Sequence, residues 1–216
     1  MNKFNQKHFI FLGAPGSGKG TLATALANLT KIKHISTGDI FRSKIKQDQV
    51  FAEKINTIVS QGLYVPDDIT NPLVLEAISS LDAKQGFILD GYPRTLAQAN
   101  FLEENNFQFD GVIHLDVAEE IIINRISLRR FCPTCKRVYH LEFRPPVDGK
   151  FCQDDNSEVV IRKDDQPEVI KKRFEIYKQE TAPLIEYYRQ KNLLFTVDSS
   201  RPAEDLAKEI IEKWQL

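Results

Sequence analysis

Five short apolar runs constrain this chain more than any other feature: "HFIFLGA" (8–14), "HIST" (34–37), "GFILDGY" (86–92), "GVIHLDV" (111–117) and "LLFTVDS" (193–199). They are rich in Ile, Val, Leu and Phe and mostly lack polar alternation, as strands buried on both faces do. Stretches of helical spacing separate them. In "TLATALANL", Leu22, Ala25, Leu26 and Leu29 recur at helical intervals, and in "AEEIIINRISLRR" the charges return on one face. Strands alternating with helices predict an α/β fold, a parallel sheet covered on both sides. A chain of 216 residues accommodates one such domain with modest insertions.

Two stretches break the rhythm. Residues 38–65, from "GDIFRSKIKQ" to "QGLYVP", contain no strand pattern and predict a small helical insertion. Residues 131–165 contain short β-like runs and turns and predict a second insertion, too short for a conventional core. Helix starts are marked at "TLAQ" (Thr95–Gln98) and "DQPE" (Asp165–Glu168), each a capping residue with Gln or Glu three positions later. Pro183 is expected to break or kink the helical segment 168–191.

The first apolar run leads into "GAPGSGKGT" (13–21) and then into a helical pattern. A glycine-rich loop between strand and helix can aim successive backbone N–H groups at phosphate oxygens, and the helix N-terminus adds favourable potential. Gly13, Gly18 and Lys19 fit the phosphate-loop pattern, but Gly20 stands where a Mg²⁺-binding hydroxyl is usual, with Thr21 one place later. Mg²⁺ at such a site would be held mainly by phosphates and water, which it retains readily. Asp90, ending "FILD", is placed to orient those waters; its alternative roles are a helix cap or an ion pair.

Phosphoryl transfer depends on positioning and charge neutralisation, and joining two nucleotides brings together more phosphate charge than Lys19 can screen. Further cations are available: Arg42 after "STGDIF", Arg94 in "DGYPRT", Arg125 and Arg129 four apart on one expected helical face, Arg162 in "RKDD", and Arg173 on the next helix. Arg94 stands out, just past a strand's carboxyl end where open α/β sheets bind ligands. Gln98 is either an adenine-edge partner or a capping-box residue, and Thr37 has a parallel reading as a helix cap.

Cys132, Cys135 and Cys152 are the only cysteines, and all lie in the second insertion. "CPTC" forms a two-ligand knuckle, and "CQDD" sets Asp155 three residues after Cys152, repeating the interval. Closed tetrahedral Zn²⁺ needs four ligands. Asp154 and His140 are the weaker candidates for the fourth, and reduced thiols or a labile disulfide are the metal-free readings.

The formal net charge of −1 offers no broad positive field for nucleic acid. "MNKFNQKHFIFLG" lacks the length and cleavage site of a secretory leader. No stretch approaches the roughly 20 apolar residues of a membrane span. A cytoplasmic protein without membrane or nucleic-acid partners is expected.

"GAPGSGKGT", "ISTGDIFR", "GLYVPDD", "GFILDGYPRTLAQA", "RVYH" and "RKDDQPEVIKKR" occur in the order found in adenylate kinases, and on these motifs the chain resembles that family from about residue 8 to 202. The resemblance implies a P-loop NTPase three-layer αβα fold with a five-stranded parallel sheet. It implies a core of 1–35, 66–127 and 166–216, a helical AMP-binding insertion at 36–65, and a zinc-containing β-rich lid at 128–165. The implied reaction is ATP + AMP ⇌ 2 ADP with Mg²⁺, and a glycine after the loop lysine is normal for it.

By position, the resemblance puts ATP phosphates on Gly16, Ser17, Gly18, Lys19, Gly20 and Thr21, with Arg129, Val138, Tyr139 and Arg201 also facing ATP. AMP falls to Thr37, Arg42, Leu63, Tyr64, Val65, Gly91, Tyr92, Pro93, Arg94 and Gln98. Arg162 and Arg173 bridge the phosphates, and Asp164 orders that cluster. The long lid matches the Cys₃Asp zinc type, and the family suggests a monomer. Kinases of UMP, CMP or GMP and GTP-using relatives share much of this pattern, but Thr37 and Gln98 favour AMP. A zinc-ribbon nucleic-acid binder is disfavoured because Glu142, Asp148, Asp154 and Asp155 offset Lys136 and Arg137. A signalling GTPase lacks its Asn-Lys-x-Asp stretch.

Overall fold

Each of the five apolar runs contributes a strand to one sheet. In the computed structural model, which describes residues 7–82 and 85–216, β1 (His8–Leu12), β2 (Lys33–Ser36), β3 (Phe87–Asp90), β4 (Gly111–Asp116) and β7 (Leu194–Asp198) lie in the order β2-β3-β1-β4-β7. Every pairing is parallel. The first six residues of the expected 1–35 segment, with the start of the leader reading, lie outside the described residues.

The lack of alternation has a direct cause. Phe9 and Phe11 point to one face, where they pack with Leu22 and Leu26 of α1 (Lys19–Thr30) and Leu206 and Ile210 of α9 (Ala203–Trp214). Ile10 and Leu12 point to the other. There they meet Val74 of α4 (Asp67–Ser79), Ala99 and Leu102 of α5 (Leu96–Glu104), and Leu184 and Tyr188 of α8 (Pro183–Gln190). The result is three layers, helix–sheet–helix, with β1 buried on both sides. Each fully buried large apolar side chain contributes roughly 1.5–3 kcal/mol of transfer free energy. The α1 stripe differs from the expected one: Leu22, Ala23 and Leu26 are buried while Leu29 is 59% exposed. The buried arc centres between Leu22 and Ala23, which turns Leu29 to the rim.

The register pairs Phe11 with Asp90 on one side and Ile113 on the other. The loop after β1 is therefore fixed beside the turn after β3. From β1 the chain crosses one face through α1, and from β3 it crosses the other through α5. That divergence opens a crevice at the strands' carboxyl ends.

Between β2 and α4 come α2 (Thr37–Gln47) and α3 (Gln49–Ser60), as the strand-free pattern required. Ser36, not Thr37, caps α2, its hydroxyl accepting from the Asp39 amide at 3.3 Å. After α6 (Glu119–Ser127) the chain forms an antiparallel pair, β5 (Arg129–Phe131) with β6 (Val138–His140). Arg129 is thus a strand residue and shares no helical face with Arg125: α6 stops at Ser127, and pairing of Arg129 with His140 takes over. The small cluster of Cys132, Tyr139, Cys152 and Val159 is the only apolar centre of this segment among the described residues.

Thr95 caps α5 as expected, accepting from the Gln98 amide at 3.2 Å. Asp165 caps nothing. The residue before α7 (Pro167–Ile176) is Gln166, without a side-chain cap, because the Asp165 carboxylate is committed to Arg129. A single π-turn, Tyr177–Thr181, separates α7 from α8, and Pro183 opens α8 where its missing N–H costs nothing. No described helix is long and apolar enough to cross a membrane.

Candidate active site

The loop at 13–21 enters α1 through Gly18, whose φ of 98° is left-handed and which supplies no side-chain cap. No acidic residue occupies the first turn of α1. The amides at this helix start are therefore left for an external anion. The Lys19 ammonium crosses its own loop to the carbonyls of Gly13 (2.7 Å) and Ala14 (2.9 Å). From the loop after β7, the Ser199 hydroxyl donates to the Ser17 carbonyl and supports the loop from beneath. Burial pushes the Lys19 ammonium down to about 8; Asp90 opposes that fall, while Arg94, Arg173 and Arg129 add to it.

Asp90 ends β3 beside the loop. Burial raises its carboxyl, but a 3.1 Å hydrogen bond with His34 Nε2 and the charges of Lys19 and Arg94 hold it below the usual carboxylate range. It is an anion facing Gly20, where an added Cβ would lie 3.4 Å from its Oδ2. Here the missing loop hydroxyl is matched by a nearby carboxylate, the donor type that orients waters around a hard cation.

Gly91 turns the chain with φ +82°, and a Cβ there would meet Thr37 Oγ1 at 2.7 Å and Arg94 Nη2 at 3.0 Å. The Tyr92–Pro93 peptide that follows is cis. Arg94 is tethered through Nε to the Gly91 carbonyl at 2.8 Å. Its guanidinium carbon lies 4.9 Å from the Tyr64 ring centroid. Thr181 joins these two: it donates to the Arg94 carbonyl at 2.7 Å and accepts from the Tyr64 hydroxyl at 2.8 Å. Gln98 is buried. Its carbonyl accepts from the Arg94 amide and its NH₂ donates to Asp67, each at 2.7 Å. The expected capping-box bond is thus displaced by one residue, from Thr95 to Arg94.

Two further arginines have carboxylate partners. Asp165, with a fully buried side chain, takes Arg129 in a two-point grip, Nε to Oδ2 being 2.8 Å. Asp164 takes Arg173 at 2.7 Å. Among the described residues Arg162 makes no ion pair, and its Nε is buried without a hydrogen-bond partner. Burial, with neighbouring Arg129 and Arg42 adding to it and Asp164 and Asp165 opposing it, brings its guanidinium down to about 10. Arg42 pairs with Asp39 at 2.6 Å at the cleft edge.

These groups border one continuous cleft of about 2440 Å³, several times the roughly 300–1,000 Å³ of a single-ligand pocket. Gly16, Gly18, Lys19, Gly20, Thr21, Tyr64, Val65, Gly91, Pro93, Val138, Tyr139 and Arg201 line it with the arginines. Ser17, Thr37, Leu63, Tyr92 and Gln98 do not. The Tyr92 ring lies in the core, with its hydroxyl on Asn71 at 2.7 Å. Thr37 is buried, donating to the Gly91 carbonyl at 3.0 Å. Tyr139 directs its hydroxyl to Cys152 Sγ at 3.1 Å, and Arg201 is paired with Glu209 at 2.7 Å. Sequence reasoning missed Asp165, Thr181, Ser199, His34 and Phe131. Only Asp165 carried a visible signal, an acid within "RKDD", and that was absorbed by the cap reading.

The cysteine knuckles repeat each other in space. In the first, the Cys132 amide donates to Arg137 and the Lys136 amide to Cys132; in the second, Cys152 donates to Ser157 and Asn156 to Cys152, all at 2.8–3.1 Å. Lys136 and Asn156 both adopt left-handed φ, 70° and 58°. Asp155 thus occupies the place in its turn that Cys135 occupies in the other. Donor atoms of Cys132, Cys135, Cys152 and Asp155 all lie within 4.8 Å of one another. Cys135 and Cys152 Sγ are 3.4 Å apart, and Cys132 Sγ is 3.3 Å from Asp155 Oδ2. A tetrahedral ion with bonds of about 2.0–2.3 Å requires edges of about 3.5–3.8 Å, so this donor set fits one. Asp154 is engaged by Arg137 at 2.7 Å, and His140 Nδ1 accepts from the amides of Glu142 and Phe143 at 3.2 Å. Between the ligands, the Pro133 carbonyl accepts Lys136 (2.6 Å) and, from α2, Lys46 (3.0 Å).

Comparison with known proteins agrees with this geometry. A family model described as adenylate kinase matches residues 11–193. An adenylate kinase of Mesomycoplasma hyopneumoniae (strain 7448) is 42% identical over 210 residues, covering 97% of this chain and 99% of its own. One from Acholeplasma laidlawii is 44% identical over 207 residues, covering 94% and 95%. One from Treponema denticola is 45% identical over 196 residues, covering 91% and 93%.

Proposed function

The chain belongs to the adenylate kinase family, and we propose that it converts ATP and AMP reversibly into two ADP, with the work divided among the cleft residues as follows. The observation that carries this reading is the convergence of Lys19, Arg94, Arg129, Arg162 and Arg173 on one cleft at the carboxyl ends of β1 and β3. Among the described residues, acids partner only Arg129 and Arg173 of these arginines. The remaining positive charge awaits phosphates.

The 13–21 loop and the α1 amides cradle the ATP phosphates. Lys19 leaves its own loop carbonyls for the phosphate being transferred. Arg94, fixed by Gly91 and Thr181, holds the AMP phosphate in line, and Gln98 keeps the Arg94 backbone in place. Arg129, Arg162 and Arg173 spread over the phosphoryl group as it moves, so that its developing charge meets fixed donors. No side chain needs to act as general base, because an AMP phosphate oxygen is already an anion. Asp90 is the residue suited to orient the waters of Mg²⁺, which would supply charge neutralisation for the phosphates.

Residues 36–65 serve as the AMP-binding insertion and 128–165 as the lid on a core of 1–35, 66–127 and 166–216. Their closure excludes water and strengthens each arginine contact. Zn²⁺ is the ion best matched to the Cys₃Asp donor set, and its place is structural, since four protein ligands leave no open position. The chain works as a cytoplasmic monomer.

A coupled assay for ADP from Mg·ATP and AMP, with UMP, CMP and GMP as alternative acceptors and GTP as alternative donor, tests the reading. ADP formation with AMP far ahead of the others is expected. Nucleotide binding without any diphosphate product overturns it.

A further inference from the structure

The cleft holds its guanidinium groups by two different means. Arg129 and Arg173 rest on Asp165 and Asp164. Arg162 makes no such pair among the described residues. Its guanidinium carbon instead lies 4.4 Å from the ring centroid of Phe131. The same ring has Arg42 at 5.7 Å and Lys136 at 5.8 Å. Lys136 is also tied to the Pro133 carbonyl and Arg42 to Asp39, and all three cations line the cleft.

Phe131 is well fixed for such a task. It is 6% exposed, and its amide and carbonyl both bond Val160 at 2.8 Å. We propose that Phe131 is a positioning residue for phosphoryl transfer, its ring face holding Arg162 in place for the phosphates without neutralising it, whereas Arg42 is held chiefly by Asp39.

The physical case is a comparison of partners. A carboxylate holds a guanidinium firmly but cancels its charge and occupies its N–H edge. An aromatic face attracts the same cation through the ring quadrupole. It stacks against the guanidinium plane and leaves that edge open to phosphate oxygens. An aliphatic side chain of similar size fills the space without attracting the charge. Burial of Arg162 beside Arg129 and Arg42 makes such attraction matter, since like charges and desolvation both work against the cluster.

The proposal rests on the adenylate kinase reading, so the test separates the two. Phenylalanine at position 131 of the full chain is replaced by its 4-fluoro, 3,5-difluoro and 3,4,5-trifluoro analogues, which drain the ring face stepwise with little change in size. Expected is a graded fall in kcat reaching roughly 3- to 30-fold, with metal content and Tm unchanged. Phe131→Leu is expected to fall at least as far. A flat kcat across the fluorinated series, even with a slow Phe131→Leu, would mean the ring only packs and would overturn the proposal. Absence of ADP formation by the unsubstituted chain in the same assay overturns the function itself.

Discussion

Asp165 is completely buried beneath Arg129 and grips it at two points, one of them Nε to Oδ2 at 2.8 Å. Removing one charge of such a pair strands the other, which costs about 3–5 kcal/mol when both are buried. Arg129 retains some access to the cleft, so the lower end applies. Asp165→Asn keeps the shape and loses the charge. At roughly 2–4 °C per kcal/mol for a chain of this size, the expected fall in Tm is about 6–12 °C. A fall in kcat of about 10²-fold should accompany it as Arg129 loses its aim. Calorimetry and steady-state kinetics check both; a variant with unchanged Tm would show that the pair contributes nothing.

Lys19 makes the cleft sensitive to pH. Its ammonium, ordinarily at 10.5, falls to about 8 through burial. Between those values the unfolded chain binds more protons than the folded one, so stability of the nucleotide-free protein rises with pH across this window. Below about 8 the cost of burying the charge is fully present. Lys19→Met should therefore raise the Tm of nucleotide-free protein at neutral pH and remove the stability gain between pH 8 and 10.5. It should also abolish phosphoryl transfer. In the unaltered enzyme kcat/KM should decline above about pH 8, whereas kcat, measured with phosphates holding the proton on Lys19, should persist to higher pH. Parallel profiles of kcat and kcat/KM would refute this.

The sheet, its parallel sense and the phosphate loop were legible because they depend on local spacing: Phe9 to Leu12 are all apolar since both faces of β1 are covered. What escaped depends on partners far apart in the chain. Asp165 resembled a helix cap because Glu168 follows at the right interval, yet its partner Arg129 lies 36 residues away. Arg129 resembled a helical residue because Arg125 precedes it by one turn, and only pairing with His140 shows the strand. Thr181 and Ser199 are common hydroxyl residues whose value comes from the carbonyls they reach, those of Arg94 and Ser17. Asp155 was legible by contrast, since its spacing from Cys152 repeats that of Cys135 from Cys132.

Among the described residues no carboxylate pairs with Arg94, and its guanidinium is held by the Gly91 carbonyl and the Tyr64 ring. Arg94→Ala should lower kcat by about 10³-fold, the scale of a transition-state arginine. Folding should be little affected, because Thr181 bonds the Arg94 backbone rather than its side chain. Arg94→Lys should recover only a small part, since one ammonium cannot serve both the Gly91 tether and a phosphate. Rapid turnover by the alanine variant, measured by ADP release, would remove Arg94 from the machinery.

The metal knuckle gives a prediction that discriminates between adjacent residues. Asp155 matches Cys135 in the repeated turn, whereas Asp154 is engaged by Arg137. Cys152→Ser should lose the ion and lower Tm, because two of the ligands, Cys132 and Cys152, are also half of the small cluster that substitutes for a core in this segment. Asp155→Asn should weaken metal retention against a chelator strongly, while Asp154→Asn should retain the metal and lose only a partly exposed ion pair worth about 0–1 kcal/mol. Some turnover should survive metal loss at low temperature, since no ligand lies among the cations that meet the phosphates. Metal loss should also slacken Lys46, whose contact is the Pro133 carbonyl inside the knuckle. KM for AMP should then rise more than kcat falls. Elemental analysis, chelator competition and kinetics on each variant distinguish these outcomes. Equal metal loss from the Asp154 and Asp155 variants would contradict the assignment drawn from the repeated turns.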